Sequence, residues 1–364
     1  MPLPLRKLRC DIEVPSKGAP LAIPGLIMEN VLNLLCGGDV MLGRQVAEAM
    51  TAHGLAHPLE PIAPLLRGAD VTLVNLECVI TSNVLRGRRR HKELYYRAPA
   101  SAAKALSEAG IDCVTLANNH VLDFDIAGLR DTIEHLDEHG ILHAGAGMTL
   151  AKAAAPAVVE FHGIRLGIAS CCSHQGDFAA TLHMPGMNYI DLLDEEAALR
   201  SFAEMLAEVT THDIDWPILA IHWGTTIEKR PPIHHRDIAR SAIKQGWKIV
   251  VGHGAHVFQG VELYRGWPII YGAGDLIDDF YADPKLHNEG QLLFGLKLAK
   301  HGLRRINLHP IIIDNLQARR AERTEFDDIA HRFQLLCREL GTTVRRRDGE
   351  LMIEPESGIP EFTP

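Results

Sequence analysis

Seven side chains in this chain are of kinds that hold divalent ions or move protons, and each stands at or just beyond the end of an apolar run: Asp39, Glu77, Asn119, His120, His222, His253 and His256. Asp39 ends LNLLCGGD, Glu77 ends VTLVNLE, His120 ends DCVTLANNH, and His222 ends PILAIH. His253 and His256 follow Ile249, Val250 and Val251 in WKIVVGHGAHVFQG. In α/β sheets ligands gather beyond the carboxyl ends of the strands, where such residues would fall. Carboxylates, an amide oxygen and imidazoles together suit Mn, Fe or Zn without selecting sharply among them. The expectation is one hydrolytic site built around one or two divalent metal ions. Singly, each residue has a plainer reading. Asp39 suits a turn cap, Glu77 a surface carboxylate, and Asn118, Asn119 and His120 a polar turn, because asparagine tolerates left-handed backbone. His222 suits a hydrogen-bonded core histidine, and His253 and His256 a loop.

To converge, these residues need parallel strands, and the pattern supplies them. Buried-type strands are expected at 31–36, 71–77, 113–117, 218–221 and 249–251, with helices beginning at 44 and spanning 58–66, 100–109, 126–139, 192–209 and 236–245. Gly110 and Gly140 are placed to end two of these helices. AVVEFHGIRLGIAS reads as a hairpin turning at His162 and Gly163; VELY and WPIIYGAGD read as an antiparallel pair, followed by strands at 292–298 and 306–313. Gly37, Gly38, Gly252 and Gly254, beside the candidate ligands, permit close backbone approach. This mixture of elements fits a four-layer αββα sandwich. Residues 1–30 read as a proline-punctuated arm, 31–312 as the main domain, and 313–364 as a C-terminal extension of one helix plus a hairpin with an Asp-Gly turn.

Composition sets the class. With 364 residues, 46% hydrophobic and 23% charged, the chain has material for a large core. A net charge of −9 argues against a general nucleic-acid binder, which needs a basic field to neutralise phosphates. Seven scattered cysteines without a C-x-x-C pair indicate a reducing compartment. The first thirty residues have no continuous apolar stretch of the signal-peptide kind, and no run approaches the roughly 20 apolar residues of a membrane span. The expected location is the cytoplasm. One dense basic cluster, Arg86, Arg88, Arg89, Arg90, Lys92 and Arg97, suits either a solvated loop or the attraction of an anionic small molecule or polymer.

The blocks GGDVMLGR, NLE, LANNHVLDF, IHWG, GHGAHVFQGVELY and YGAGDLIDDF, in that order between Val31 and Phe294, resemble the CapA family of poly-γ-glutamate capsule biosynthesis proteins. That family's fold is similar to the calcineurin-like metallo-dependent phosphatases. The resemblance implies that Asp39 and His256 serve a first metal, that Asn119, His222 and His253 serve a second, and that Glu77 takes the bridging place usually held by aspartate. It implies a proton-donor role for His120 and substrate contacts for Lys92 and Arg97, which lie in KELYYRAP. Asn118, Asp123 and Asp275 would orient the ligands; Asp123 and Asp125 equally suit the cap of the next helix. There are departures from the pattern. Asp39-Val40-Met41 replaces D-x-H, Gly254 stands at the second histidine of G-H-H-P-H, Thr226 stands where glutamate is frequent, and Gly274-Asp275-Leu276 replaces G-N-F. Three functions fit: a metal-dependent hydrolase of a phosphoester or γ-glutamyl-type amide, a non-catalytic accessory protein binding poly-γ-glutamate, and a metal-dependent epimerase of an amino-acid or peptide unit.

Overall fold

Strand side chains alternate between faces, and in this protein the alternation divides them among three separate cores. The structure is a computed structural model that describes residues 30–86, 92–224 and 227–355. The expected arm therefore lies outside the described residues except for Asn30, as do Arg88, Arg89, Arg90 and Thr226. In the strand Val31–Val40, Leu32, Leu34 and Cys36 enter the central core, whereas Leu35 and Val40 enter an outer one. In Trp216–His222, Trp216 and Ile218 face the central core while Leu219 and Ile221 face a third. A strand buried on both faces reads as a continuous apolar run, which is why these segments lack a polar side.

The central core lies between two sheets. The larger, ten-stranded among the described residues, includes Val31–Val40, Val71–Leu76, Cys113–Thr115 and Leu142–Ala144 as consecutive parallel neighbours. The six-stranded sheet carries Ile164–Cys172, Trp216–His222 and Ile249–His253 in parallel. Helices Arg44–His53, Ala102–Ala109 and Asp125–Glu138 cover the outer face of the first sheet, through residues such as Val46, Leu106 and Leu129. Glu195–Thr210 and Ile233–Gln245 cover the second, through Phe202, Val209, Ile238 and Ile243. The architecture is a four-layer αββα sandwich. Each fully buried aliphatic side chain contributes about 1.5–3 kcal/mol relative to leaving it in water.

Local chemistry sets most boundaries. Gly110 takes a φ of 101° after the helix Ala102–Ala109, and His162 and Gly163, both left-handed, turn the hairpin between Ala157–Phe161 and Ile164–Cys172. Asp348 and Gly349, also left-handed, join Arg345–Arg347 to Glu350–Ile353. That last strand pairs with Gly302–Asp314 in the large sheet, and helix Arg323–Glu339 sends Ile329 and Phe333 into the central core. Among the described residues no helix is long and apolar enough to cross a membrane.

Three local expectations need correction. The 58–66 segment is helical only over Ala63–Leu66, with hydrogen-bonded turns before it. The basic loop ends in a short strand, Arg97–Ala98, paired in parallel with Val79–Ile80. The run WPIIYGAGD is not one strand: Trp267–Ile270 belongs to the six-stranded sheet, and Asp275–Ile277 pairs with Val31–Val40 in the other. The chain changes sheets across Tyr271 to Gly274, and Gly274, at φ 72°, makes the corner. The approach there is so close that a Cβ on Gly38 would stand 2.0 Å from the Gly274 carbonyl oxygen.

Candidate metal centre

The parallel strands bring their carboxyl ends to one rim, where Asp39, Glu77, His120, His222, His253 and His256 come near one another. Asp39 lies level with Asn75 on one side and Asp275 on the other, and His222 lies level with His253. Asp39 is buried. Its Oδ1 accepts from Asn75 Nδ2 at 2.8 Å, and its Oδ2 accepts from the Gly254 amide at 3.0 Å. His253 Nδ1 stands 3.2 Å from Oδ1, and His256 Nδ1 stands 3.5 Å from Oδ2. Neither ring nitrogen of His253 has an aligned hydrogen-bond partner, although both are buried; the 3.2 Å approach to Asp39 is a close contact of poor angle. The buried Asn119 Oδ1 is likewise without a partner.

Glu77, just beyond Val71–Leu76, is ringed by imidazoles. His222 Nε2 lies 3.7 Å from it, His256 Nδ1 3.8 Å and His120 Nε2 4.0 Å. These separations exceed hydrogen-bond length. They match donors that share an ion, because ligand distances of about 2.0–2.2 Å place two ligands no more than roughly 4.4 Å apart. Ligand atoms of Asp39, Glu77 and His256 all lie within 4.8 Å of one another. Among the described residues neither Asp39 nor Glu77 has a lysine or arginine as ion-pair partner. The buried His253 imidazole at Asp39, with His222 and His256 around Glu77 and no lysine or arginine on either carboxylate, is a donor set that fits a divalent metal.

The protonation equilibria carry the same message. Burial raises Glu77 well above the usual carboxylate range, with Asp39 and Asp275 adding to it against His256. Burial also pushes Asp39 upward, but His253, His256 and His222 outweigh it and hold the carboxyl below its ordinary value. Asp275 is pushed up to about 8, chiefly by burial, with Asp39 contributing and a hydrogen bond from Asp278 opposing. Burial pulls His222 well below its ordinary value. Burial and mutual repulsion thus oppose full ionisation of the three carboxyls, which a divalent cation would favour.

The sequence-expected neighbours fall around this centre. Asn118 donates to Leu76 O at 2.8 Å and to Asn75 Oδ1 at 3.2 Å, and its own Oδ1 accepts from the His120 amide. Asp275 Oδ1 lies 2.9 Å from His256 Nδ1. Asp123 is fully buried and meets His120, while Asp125 opens the helix Asp125–Glu138. Lys92 and Arg97 part company. Lys92 Nζ donates to Asp123 Oδ1 at 2.7 Å and to Asn119 O at 2.6 Å, so its charge is committed inside the protein. Arg97 is exposed, 5.7 Å over the Phe124 ring.

Two residues of the site escaped the sequence reading. Asn75 joins the Asp39, Thr115 and Asn118 side chains and stands 3.4 Å from His222 Nδ1. Its spacing of two from Glu77 was a usable signal, because alternate strand residues share a face. Tyr96 stacks on His120 with ring centroids 3.9 Å apart, and nothing short of the fold brings the two rings together.

Fold and rim together define a four-layer α/β protein with a buried Asp/Glu/His cluster suited to a divalent ion. The profile of the bacterial capsule synthesis protein PGA_cap family matches residues 33–280, and the chain belongs to that family. It is 29% identical over 375 residues to a probable polyglutamine synthesis accessory protein of Mycobacterium tuberculosis (strain ATCC 25618 / H37Rv), covering 91% of this chain and 98% of that one. It is 26% identical over 287 residues to the PGA biosynthesis protein CapA of Bacillus subtilis (strain 168), covering 78% and 72%. Among solved structures, Haemophilus influenzae NAD nucleotidase (NadN) is a distant likeness, with a TM-score of 0.42 and 13% identity over 83% of this chain and 55% of that one.

Proposed function

We propose that this chain is a metal-dependent hydrolase of the CapA family, acting on an anionic small molecule or polymer at a phosphoester or an amide such as a γ-glutamyl linkage. The observation that carries the reading is the meeting of Asp39, Glu77 and His256 within 4.8 Å of one another, with His120 Nε2 4.0 Å from Glu77. Asp39 and His256 would hold one ion (Mn, Fe or Zn), Asn119, His222 and His253 a second, and Glu77 would lie between them. When bound, such ions neutralise the carboxylates and bring the pKa of ligated water toward neutrality.

The chain's own residues set the rest. His120 Nδ1 lies 2.6 Å from Asp123 Oδ2, and the carboxylate assigns the ring proton on that side to Nδ1. Nε2 is then the atom that faces the site; the ring, once it has taken a second proton there from water, gives the Nε2 proton to the departing oxygen or nitrogen and keeps the one on Nδ1. Tyr96, stacked on the ring, resists its rotation. Asn75 and the Gly254 amide fix Asp39. The test is metal analysis of the purified protein together with turnover of a phosphomonoester and a γ-glutamyl anilide. A metal-free protein whose activity survives Asn119→Ala and His222→Ala would sink the reading.

The name of the M. tuberculosis relative favours a second reading, in which the protein binds polymer without cleaving it. Polymer binding that persists with metal removed and His120→Gln in place, without turnover by the unaltered protein, supports that reading over the first.

A further inference from the structure

Beside the metal rim lies a second concavity, of about 440 Å³, lined by Arg44, Arg86, Tyr95, Arg97 and Phe124 with Glu48 at its edge. Its volume falls within the roughly 300–1,000 Å³ of ligand pockets. Three arginines against two carboxylates, Glu48 at the edge and Asp279 beside Arg44, leave it locally cationic in a chain whose net charge is −9. Of the arginines elsewhere, Arg165, Arg230, Arg240 and Arg319 each hold a carboxylate at 2.7–2.9 Å. Among the described residues neither Arg86 nor Arg97 has such a partner; Arg97 reaches only the Asn83 carbonyl, at 3.4 Å.

The arginines are placed by packing. Gly43 lets the chain at Arg97 lie against the start of the first helix: a Cβ on Gly43 would stand 2.9 Å from the Arg97 carbonyl oxygen. This brings Arg44 and Arg97 to the walls of one cavity. Each guanidinium rests near a different ring, Arg86 at 4.8 Å from Tyr95, Arg97 at 5.7 Å from Phe124 and Arg44 at 5.8 Å from Tyr96. A guanidinium packed on a ring face is held in orientation while its edge stays available to accept an anion's fork. The forks of Arg86 and Arg97, on separate rings, suit successive carboxylates along one flexible chain, each bound bidentately, better than a single compact anion. Arg44 is also tied to Asp279 at 3.2 Å, which fixes the wall nearest the metal rim. Tyr96 joins the two places, with Arg44 near its ring and His120 stacked on it at 3.9 Å.

We propose that the cavity lined by Arg44, Arg86 and Arg97 is a subsite for a flexible polycarboxylate chain, which it grips while a neighbouring unit lies at the metal rim beside His120. The subsite rests on the proposed function only for the reason a chain is presented there; its binding is measurable without turnover.

The experiment is calorimetric titration of the full-length His120→Gln protein with a γ-linked glutamate pentamer, free glutamate and inorganic phosphate, at low and moderate salt. The pentamer is expected to bind at least tenfold more tightly than glutamate or phosphate. Arg86→Ala/Arg97→Ala in the same background is expected to weaken the pentamer at least tenfold while melting temperature and metal content stay unchanged. Arg86→Lys/Arg97→Lys, which keeps charge and removes the fork, is expected to fall between. Equal affinity in the alanine variant, or phosphate displacing the pentamer at equal concentration, overturns the subsite. Pentamer binding that depends on these arginines in a protein without hydrolytic activity leaves the subsite standing and overturns only the hydrolase reading.

Discussion

Asp123 is shared between two side chains: one carboxylate oxygen lies 2.6 Å from His120 Nδ1 and the other 2.7 Å from Lys92 Nζ. The carboxylate is fully buried and also accepts from the Tyr96 amide at 2.7 Å. It therefore orients the candidate proton donor while its charge is balanced by a lysine that the sequence alone had suggested for substrate. Two predictions come directly from this arrangement.

Replacing the ring that faces the rim removes proton transfer and leaves the ion-binding side chains in place. His120→Gln is expected to lower kcat about 10²–10⁴-fold, with metal content unchanged by mass spectrometry. Asp123→Asn is expected to lower kcat less than His120→Gln does. A His120→Gln protein with undiminished kcat contradicts the assignment of Nε2 as the donor.

Lys92 is expected to matter for stability before it matters for affinity. Removing one partner of a buried pair costs about 3–5 kcal/mol, whereas an exposed pair is worth at most about 1 kcal/mol. The Lys92 side chain is only 11% exposed and that of Asp123 is 0%. Urea unfolding of Lys92→Met is expected to show a loss near the larger figure. A loss below 1 kcal/mol marks Lys92 as a solvated side chain instead.

A bound divalent ion stabilises the fold by mass action, about 2.7 kcal/mol when free ion exceeds the dissociation constant a hundredfold. Removal of metal with a chelator is expected to lower the melting temperature, and Asn119→Ala or His222→Ala is expected to shrink that drop. A melting temperature indifferent to both chelator and added metal contradicts the metal centre.

Gly254 tests the rim's geometry without touching a ligand. Its φ is 89°, and a Cβ there would meet His222 Nε2 at 2.8 Å. Gly254→Ala is expected to cost about 1–3 kcal/mol through backbone strain and to reduce metal content by displacing the imidazole. Unchanged metal content and stability would show that the His222 ring has room to move.

Acid sensitivity has an identifiable contributor outside the candidate ligand set. His235 is buried, stacked on Trp223 at 4.7 Å, and burial, aided by His234 and His174, pushes its pKa down to about 3. The unfolded chain has an ordinary histidine near 6.5, so between those values it binds the proton that the fold refuses. The stability contributed is fully present above about pH 6.5 and falls with pH toward 3, by about 1.4 kcal/mol per unit. His235→Phe, which keeps the stacking, is expected to flatten the pH dependence of urea midpoints across that window. A slope identical in both proteins removes His235 from the account.

Legibility in the sequence followed the range of the interaction. The hairpin at His162 and Gly163, the helix stop at Gly110 and the Asp-Gly turn at Asp348 are decided by neighbours in the chain, and each falls where local chemistry puts it. The continuous apolar runs before Asp39, Glu77 and His222 marked strands buried on both faces. WPIIYGAGD was misjudged as one strand because its second half pairs with Val31–Val40, a partner more than two hundred residues away. Lys92 looked like a free charge because the carboxylate it meets, Asp123, belongs to a different loop.

Periodicity, glycine placement and the residue types at strand ends were enough by themselves to indicate layered α/β structure with metal-type side chains at strand ends, because those signals depend on backbone preference and on which side chains water rejects. Which nitrogen of His120 faces Glu77, that Asn75 locks Asp39, and that three arginines share a cavity beside Tyr96 were decided only by tertiary structure. Those relations come from distances between segments remote in the chain, set when two sheets close on a common core.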